Sequence, residues 1–201
     1  MFRVILASLL GALTLFIAGA FSHMALELES RAMFNLPNEE ATKSHVSQQQ
    51  LLPGIYSFPG MNRDWQSIPI EQQSAEMEKY SAEYKNGPTG FVIVVPNGEE
   101  PMSAKQLIGE FIANIGVALV ASLFMVCMKP SISFWKRWFL LVLLAPASWL
   151  SLTFSHWLWY RFSFPFVLDG LYCALIEWAL AGIVIAAIAR PASPPEVPMA
   201  S

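Results

Sequence analysis

The stretch LIGEFIANIGVALVASLFMVCM at residues 107–128, followed at once by KPSISFWKR at 129–137, decides how this chain is read. Its 22 residues carry one charge, Glu110. A helix rising about 1.5 Å per residue needs about 20 apolar residues to cross a hydrocarbon core about 30 Å thick. The link immediately after it holds Lys129, Lys136 and Arg137 and no acid. Basic side chains are poorly translocated and collect on the cytoplasmic side, so the stretch predicts a membrane helix with its C-terminal end in the cytoplasm.

Three further segments have the same character. Residues 4–20 form a 17-residue run without charge, extendable to Leu26 through Ser22 and His23. Residues 138–157 are uncharged and interrupted by Pro146, where the missing amide predicts a kink. Residues 170–189 contain one charge, Glu177. Counting outward from the basic link puts both termini, with Arg3 and Arg190, in the cytoplasm. It puts residues 23–105, with eleven acids against six bases, on the far side. Trp135 and Trp138 then flank one membrane face, and Trp157, Trp159 and Tyr160 the other. Arg3, the apolar run and Ala18-Gly19-Ala20 also fit a cleavable secretory signal, but Phe21, Met24, Ala25 and Leu26 favour a retained helix.

Composition agrees with this plan. Of 201 residues, 55% are apolar and 13% charged, with a mean hydropathy of +0.46; average soluble domains carry about 25% charge. Seventeen of the 27 formal charges fall within residues 23–105. A net charge of -3 gives no electrostatic footprint for nucleic acid. The expected architecture is a membrane all-α bundle of four transmembrane helices with a small extracytoplasmic α+β module between the first and second. Residues 1–26 are the first helix, 27–104 the module, 105–190 a three-helix membrane region and 191–201 a disordered proline-rich cytoplasmic tail.

The module has no cysteine, and Cys127 and Cys173 fall at opposite ends of their spans, too far apart to pair. Pro37-Asn38-Glu39-Glu40 opens a helix to about residue 50, with Asn38 as its cap. Pro53-Gly54 breaks it, and residues 55–58 have strand character. A second helix is expected over residues 70–86, with Ile70, Met77, Tyr80 and Tyr84 on one face and Gly87 as its stop. Residues 91–95 form the strongest strand, Asn97-Gly98 a turn, and Ser103 the cap of a helix running into the second span. Ile55, Tyr56, Val92 and Val94 are the expected core.

Ionisable groups inside a span cost roughly 2.5 to 3.5 kcal/mol on insertion scales, so each marks a candidate site. Glu177 lies seven residues past Gly170, about 10 Å below the membrane edge at the rise of a helix. Asn114 reaches a similar depth, and Thr14, Ser148 and Ser151 fall within a turn of it. Glu110 shares a face of its helix with Asn114. His156, Arg161 and Asp169 are expected at the mouth above them. Glu177, Asn114, Glu110 and His156 are therefore the candidate binding residues. They would serve either as a proton relay or cation site or, more simply, as interhelical glue in which a protonated Glu177 donates to Asn114. Ala7, Gly11, Gly109, Gly116 and Gly182 are expected at close helix contacts. His23 and His45 read as isolated surface histidines.

No phosphate loop, H-E-x-x-H, C-x-x-C or G-x-S-x-G occurs, and no internal repeat or inverted symmetry is visible. No catalytic residue, metal site or cofactor is expected, and the reading leans away from an enzyme. The expected function is an accessory or interaction subunit that meets a protein partner, or a second copy, through its module; the alternative is a small transporter, channel or proton-conducting component. Tyr56-Ser57-Phe58-Pro59-Gly60, Gly87-Pro88-Thr89-Gly90 and Pro101-Met102-Ser103 ahead of a span together resemble a group of uncharacterised bacterial four-span inner-membrane proteins with a periplasmic insert. The resemblance implies a bacterial inner membrane and the four-span plan, and nothing about catalysis. Residues 157–166 depart from that pattern.

Overall fold

The computed structural model describes residues 1–61 and 64–191, which divide into two compact units: residues 1–34 with the chain from 101 onward, and residues 35–100. The expected tail lies, apart from Pro191, outside the described residues. Four helical stretches of the first unit are long and apolar enough to cross a membrane. They are α1 (Phe2–Met24), α4 (Ala104–Val126), a composite over Phe134–Tyr160, and α8 (Phe164–Ile188). The second unit supplies α2 (Glu39–Gln48), β1 (Gly54–Phe58), α3 (Ile70–Asn86) and β2 (Gly90–Val94).

Each long helix starts where its sequence allows. Ser103 and Gln106 form a reciprocal capping box at α4, with the Ser103 amide donating to Gln106 Oε1 at 2.8 Å. At α8 the Ser163 hydroxyl accepts from the Phe166 amide and Pro165 occupies the first turn, where its missing N–H costs nothing. That start lies six residues before the expected one at Gly170 and takes Asp169 into the helix.

The composite helix is α5 (Phe134–Val142), α6 (Leu144–Ser148), a π-helical turn at Trp149–Thr153 and α7 (Phe154–Tyr160). Pro146 cannot donate to the carbonyl one turn earlier. The irregularity expected there is spread forward into the wide turn, closed by the Phe154 amide on the Trp149 carbonyl.

α1 packs antiparallel to both α4 and α8 through small residues, as membrane helices do when dispersion rather than water exclusion drives the contact. A Cβ on Gly11 would stand 2.7 Å from Ile185 Cγ1 and 3.4 Å from the Ala118 methyl, so α1, α4 and α8 meet there. Gly182 receives the Trp138 ring and Leu141. Gly109 and Gly116 face open space, against the expectation of helix contacts, because the stripe buried on α4 runs instead through Ala118, Ala121, Ser122 and Met125.

Arg137, from the basic link, is buried. It donates Nη1 to Ile132 O at 2.7 Å, and Nε and Nη2 to Ala186 O at 3.3 and 3.2 Å, so a cation closes the C-terminal end of α8.

In the second unit Asn38 caps α2 by accepting from the Ala41 amide, and Gly87 ends α3 at a φ of 58°. β1 and β2 pair antiparallel with Ile55 opposite Ile93 and Tyr56 opposite Val92. Only part of the expected core forms: Val94 is 5% exposed, but Val92 is 37%, Ile55 62% and Ile93 70%. Adjacent strand residues point to opposite faces, so Ile55 and Tyr56 cannot share one core, and the face of the Ile55–Ile93 pair is left open. Ile70 is likewise exposed, apart from the half-buried Tyr80 and Tyr84, whose ring centroids are 5.9 Å apart.

Candidate functional site

α1, α4 and α8 enclose a cavity of about 310 Å³ at the end of the bundle where α1 finishes and α4 begins. Three of the candidate residues line it together: Glu110 and Asn114, one turn apart on α4, and Glu177 from α8. Gly19 of α1 makes the arrangement fit, because a Cβ there would come within 3.1 Å of Glu177 Oε1. Among the described residues no hydrogen bond satisfies the Glu177 carboxylate or the Asn114 amide, so the Glu177–Asn114 bond of the interhelical-glue reading is not made. Thr14 does not line this cavity, and its hydroxyl donates within its own helix to Leu10 O at 2.8 Å. Ser148 donates to Ala145 O at 3.0 Å, and it lines a neighbouring hollow together with Asn114 and Glu177.

His156 does not line this cavity. Its ring lies 5.7 Å from that of Tyr160 and 5.3 Å from that of Phe162. The reason lies in the π-helical turn just before it: one extra residue in a turn rotates the downstream part of the helix by about 100° about its axis, which defeats a prediction from depth alone.

The histidine that does line the cavity is His23. Leu15, Gly19 and His23 recur every four residues on α1, a stripe visible in the sequence as soon as Gly19 is paired with Glu177. His23 Nδ1 also stands 3.7 Å from Glu29 Oε2, an ion pair whenever the imidazole is protonated.

Glu29 belongs to a second cluster beside the cavity. Asp169, 2% exposed, accepts from Arg31 Nε at 2.7 Å, from Arg31 Nη2, and from the Glu29 amide at 3.1 Å. The Glu29 side chain rests on Gly170, where a Cβ would be 3.1 Å from Oε1. Burial pushes the Glu29 carboxyl above its ordinary value; His23 works against this and the Asp169 charge adds to it. Asp169 is thus a buried anchor that ties the chain after α1 to α8. The partner that makes it so, Arg31, is 138 residues away in sequence and carries no local signal.

The polar groups of the cavity are two carboxylates, an amide and an imidazole, set among apolar side chains such as Phe16, Met24 and Leu107, with no Lys or Arg among its lining residues. It accepts hydrogen bonds and positive charge. Further along the same helices the packing closes, with Ala7, Ala118, Met125 and Ile185 fully buried. Among the described residues, no three His, Cys, Asp or Glu side chains come together as a metal-binding group. The chain matches no protein-family model, no curated protein and no solved structure.

Proposed function

We propose that this chain is a multi-pass protein of a bacterial inner membrane that binds a small organic cation in the α1/α4/α8 cavity. In this reading both termini are cytoplasmic and residues 27–104 lie outside the cytoplasm, so the cavity opens toward the extracytoplasmic side. The observation that carries the reading is a carboxylate, Glu177, that lines a cavity wide enough for a ligand and has no hydrogen-bond partner among the described residues. Glue would hold that carboxylate packed and bonded. Because α1, α4 and α8 close on one another further along at Ala7, Ala118, Met125 and Ile185, the reading is a binding component rather than an open channel between these three helices; a transporter or proton-conducting role would require that contact to open.

The test is calorimetry on the full-length chain in a neutral detergent, with ethylamine as the probe. Binding that is lost in Glu177→Gln, in a variant whose unfolding midpoint is unchanged, supports the reading. Absence of binding to the unaltered chain sinks it.

A second reading, an accessory subunit docking through residues 35–100, is favoured by a separate observation. The exposed Ile55–Ile93 pair and a groove of about 530 Å³ between α2 and β2 leave apolar surface uncovered on that unit. Gentle purification and then mass spectrometry test it, and recovery as a bare monomer counts against it.

A further inference from the structure

Glu177 borders a second hollow as well. This one, of about 740 Å³, lies between α4, α6 and α8, and Leu15, Asn114 and Glu177 line both. Both volumes fall in the range of about 300–1,000 Å³ usual for small-molecule sites. Beyond these shared side chains the second is the more apolar. The first adds His23 and Glu110 to a wall that includes Phe16, Met24 and Leu107, whereas the second adds Ser148 to a wall of Val117, Val120, Phe124, Leu144, Ala147 and Trp178. Gly116 lines the apolar hollow, and a Cβ there would meet nothing within 4 Å. Neither hollow has a Lys or Arg in its lining.

We infer that the two hollows form one bipartite site for a long-chain primary amine, with its ammonium at Glu177 and Asn114 and its hydrocarbon chain in the groove between α4, α6 and α8. This rests on the cation-binding reading and adds the tail. An ammonium supplies the hydrogen-bond donors that the carboxylate and the amide oxygen lack. A chain of methylenes suits walls with few polar groups. The charge of the polar end selects the head: carboxylate or sulfate amphiphiles would meet two carboxylates and a single imidazole. An aminophospholipid shares the ammonium but brings a phosphate into the same field, so the ligand assigned is an amine without one.

The full-length chain in a maltoside detergent is titrated with dodecylamine, ethylamine, dodecanol and dodecanoate. Dodecylamine is expected to bind at least tenfold more tightly than either ethylamine or dodecanol, with no binding of dodecanoate. Gly116→Leu, or independently Ala147→Leu, should abolish the advantage of dodecylamine over ethylamine and leave ethylamine binding unchanged. Using both variants covers a folding defect in either. If ethylamine binds but dodecylamine is no tighter, or if folded groove variants keep the advantage, the amphiphile is refuted while the cation site stands. If neither amine binds, both readings fall. Dodecanol binding as tightly as dodecylamine, or phosphatidylethanolamine displacing dodecylamine in native mass spectrometry, also overturns the assignment.

Discussion

Gly11 is the point where three helices touch, and replacing it by alanine gives the sharpest test of the packing. The new methyl would stand 2.7 and 2.9 Å from Ile185 Cγ1 and Cδ1, and Ile185 is fully buried and cannot swing aside. Overpacking of this kind costs about 1–3 kcal/mol. Against it stands the preference of a helix for Ala over Gly, about 0.8–1 kcal/mol. At Gly116 and Gly109 nothing lies within 4 Å, so only the second effect acts and Gly→Ala there should stabilise. The expected gap between Gly11→Ala and Gly116→Ala is therefore about 1–3 kcal/mol, the overpacking cost alone. In an Ile185→Ala background the clash has no partner, and Gly11→Ala should change sign and stabilise. Equilibrium unfolding in mixed micelles, monitored by tryptophan fluorescence, measures all of these variants. Equal stability of Gly11→Ala and Gly116→Ala, or a penalty that survives in the Ile185→Ala background, would refute the three-helix contact.

Three other outcomes are expected. Asp169→Asn weakens the acceptor for both Arg31 nitrogens, so trypsin should cleave after Arg31 faster than in the unaltered chain, at a lower unfolding midpoint. Arg137→Ala leaves the Ala186 and Ile132 carbonyls without their charged donor and should cost about 2–3 kcal/mol, and Arg137→Lys, lacking the planar fork, should recover less than half of that. Because the Glu29 carboxyl is raised in the folded chain, the stability linked to it is fully present below its ordinary value of 4.5 and is lost as pH rises through the folded value. Glu29→Gln should therefore flatten the fall in unfolding midpoint over that window; an unchanged slope would show that Glu29 is not the group responsible.

Much of the architecture was legible because it rests on one-dimensional signals. Run length marked the four apolar helices. Local hydrogen-bond chemistry marked the caps at Asn38 and Ser103, the stop at Gly87 and α3 itself. Glu110, Asn114 and Glu177 came together because rise per residue converts sequence position into depth. What depth cannot supply is the angle about each helix axis. His156 was misplaced for that reason, behind a wide turn that no residue announced, while His23 read as an isolated surface histidine and Gly19 as part of a cleavage pattern because their place at the cavity depends on which face α1 turns toward α8. The early start of α8 was hidden by Pro165, which reads as a breaker in isolation and as a first-turn residue once Ser163 caps it. Arg31 and Asp169 are joined only by the tertiary fold.

The antiparallel pairing of α1 with α8 also dictates an order of events during synthesis. Gly11 waits for Ile185, Gly19 for Glu177 and Arg31 for Asp169, so α1 leaves the ribosome well before the helix that completes its contacts. Until α8 is inserted, the small-residue stripe of α1 has α4 on one side and lipid on the other, and the hollow around Glu110 has no floor. A product that stopped short of α8 would leave that flank of α1 uncovered.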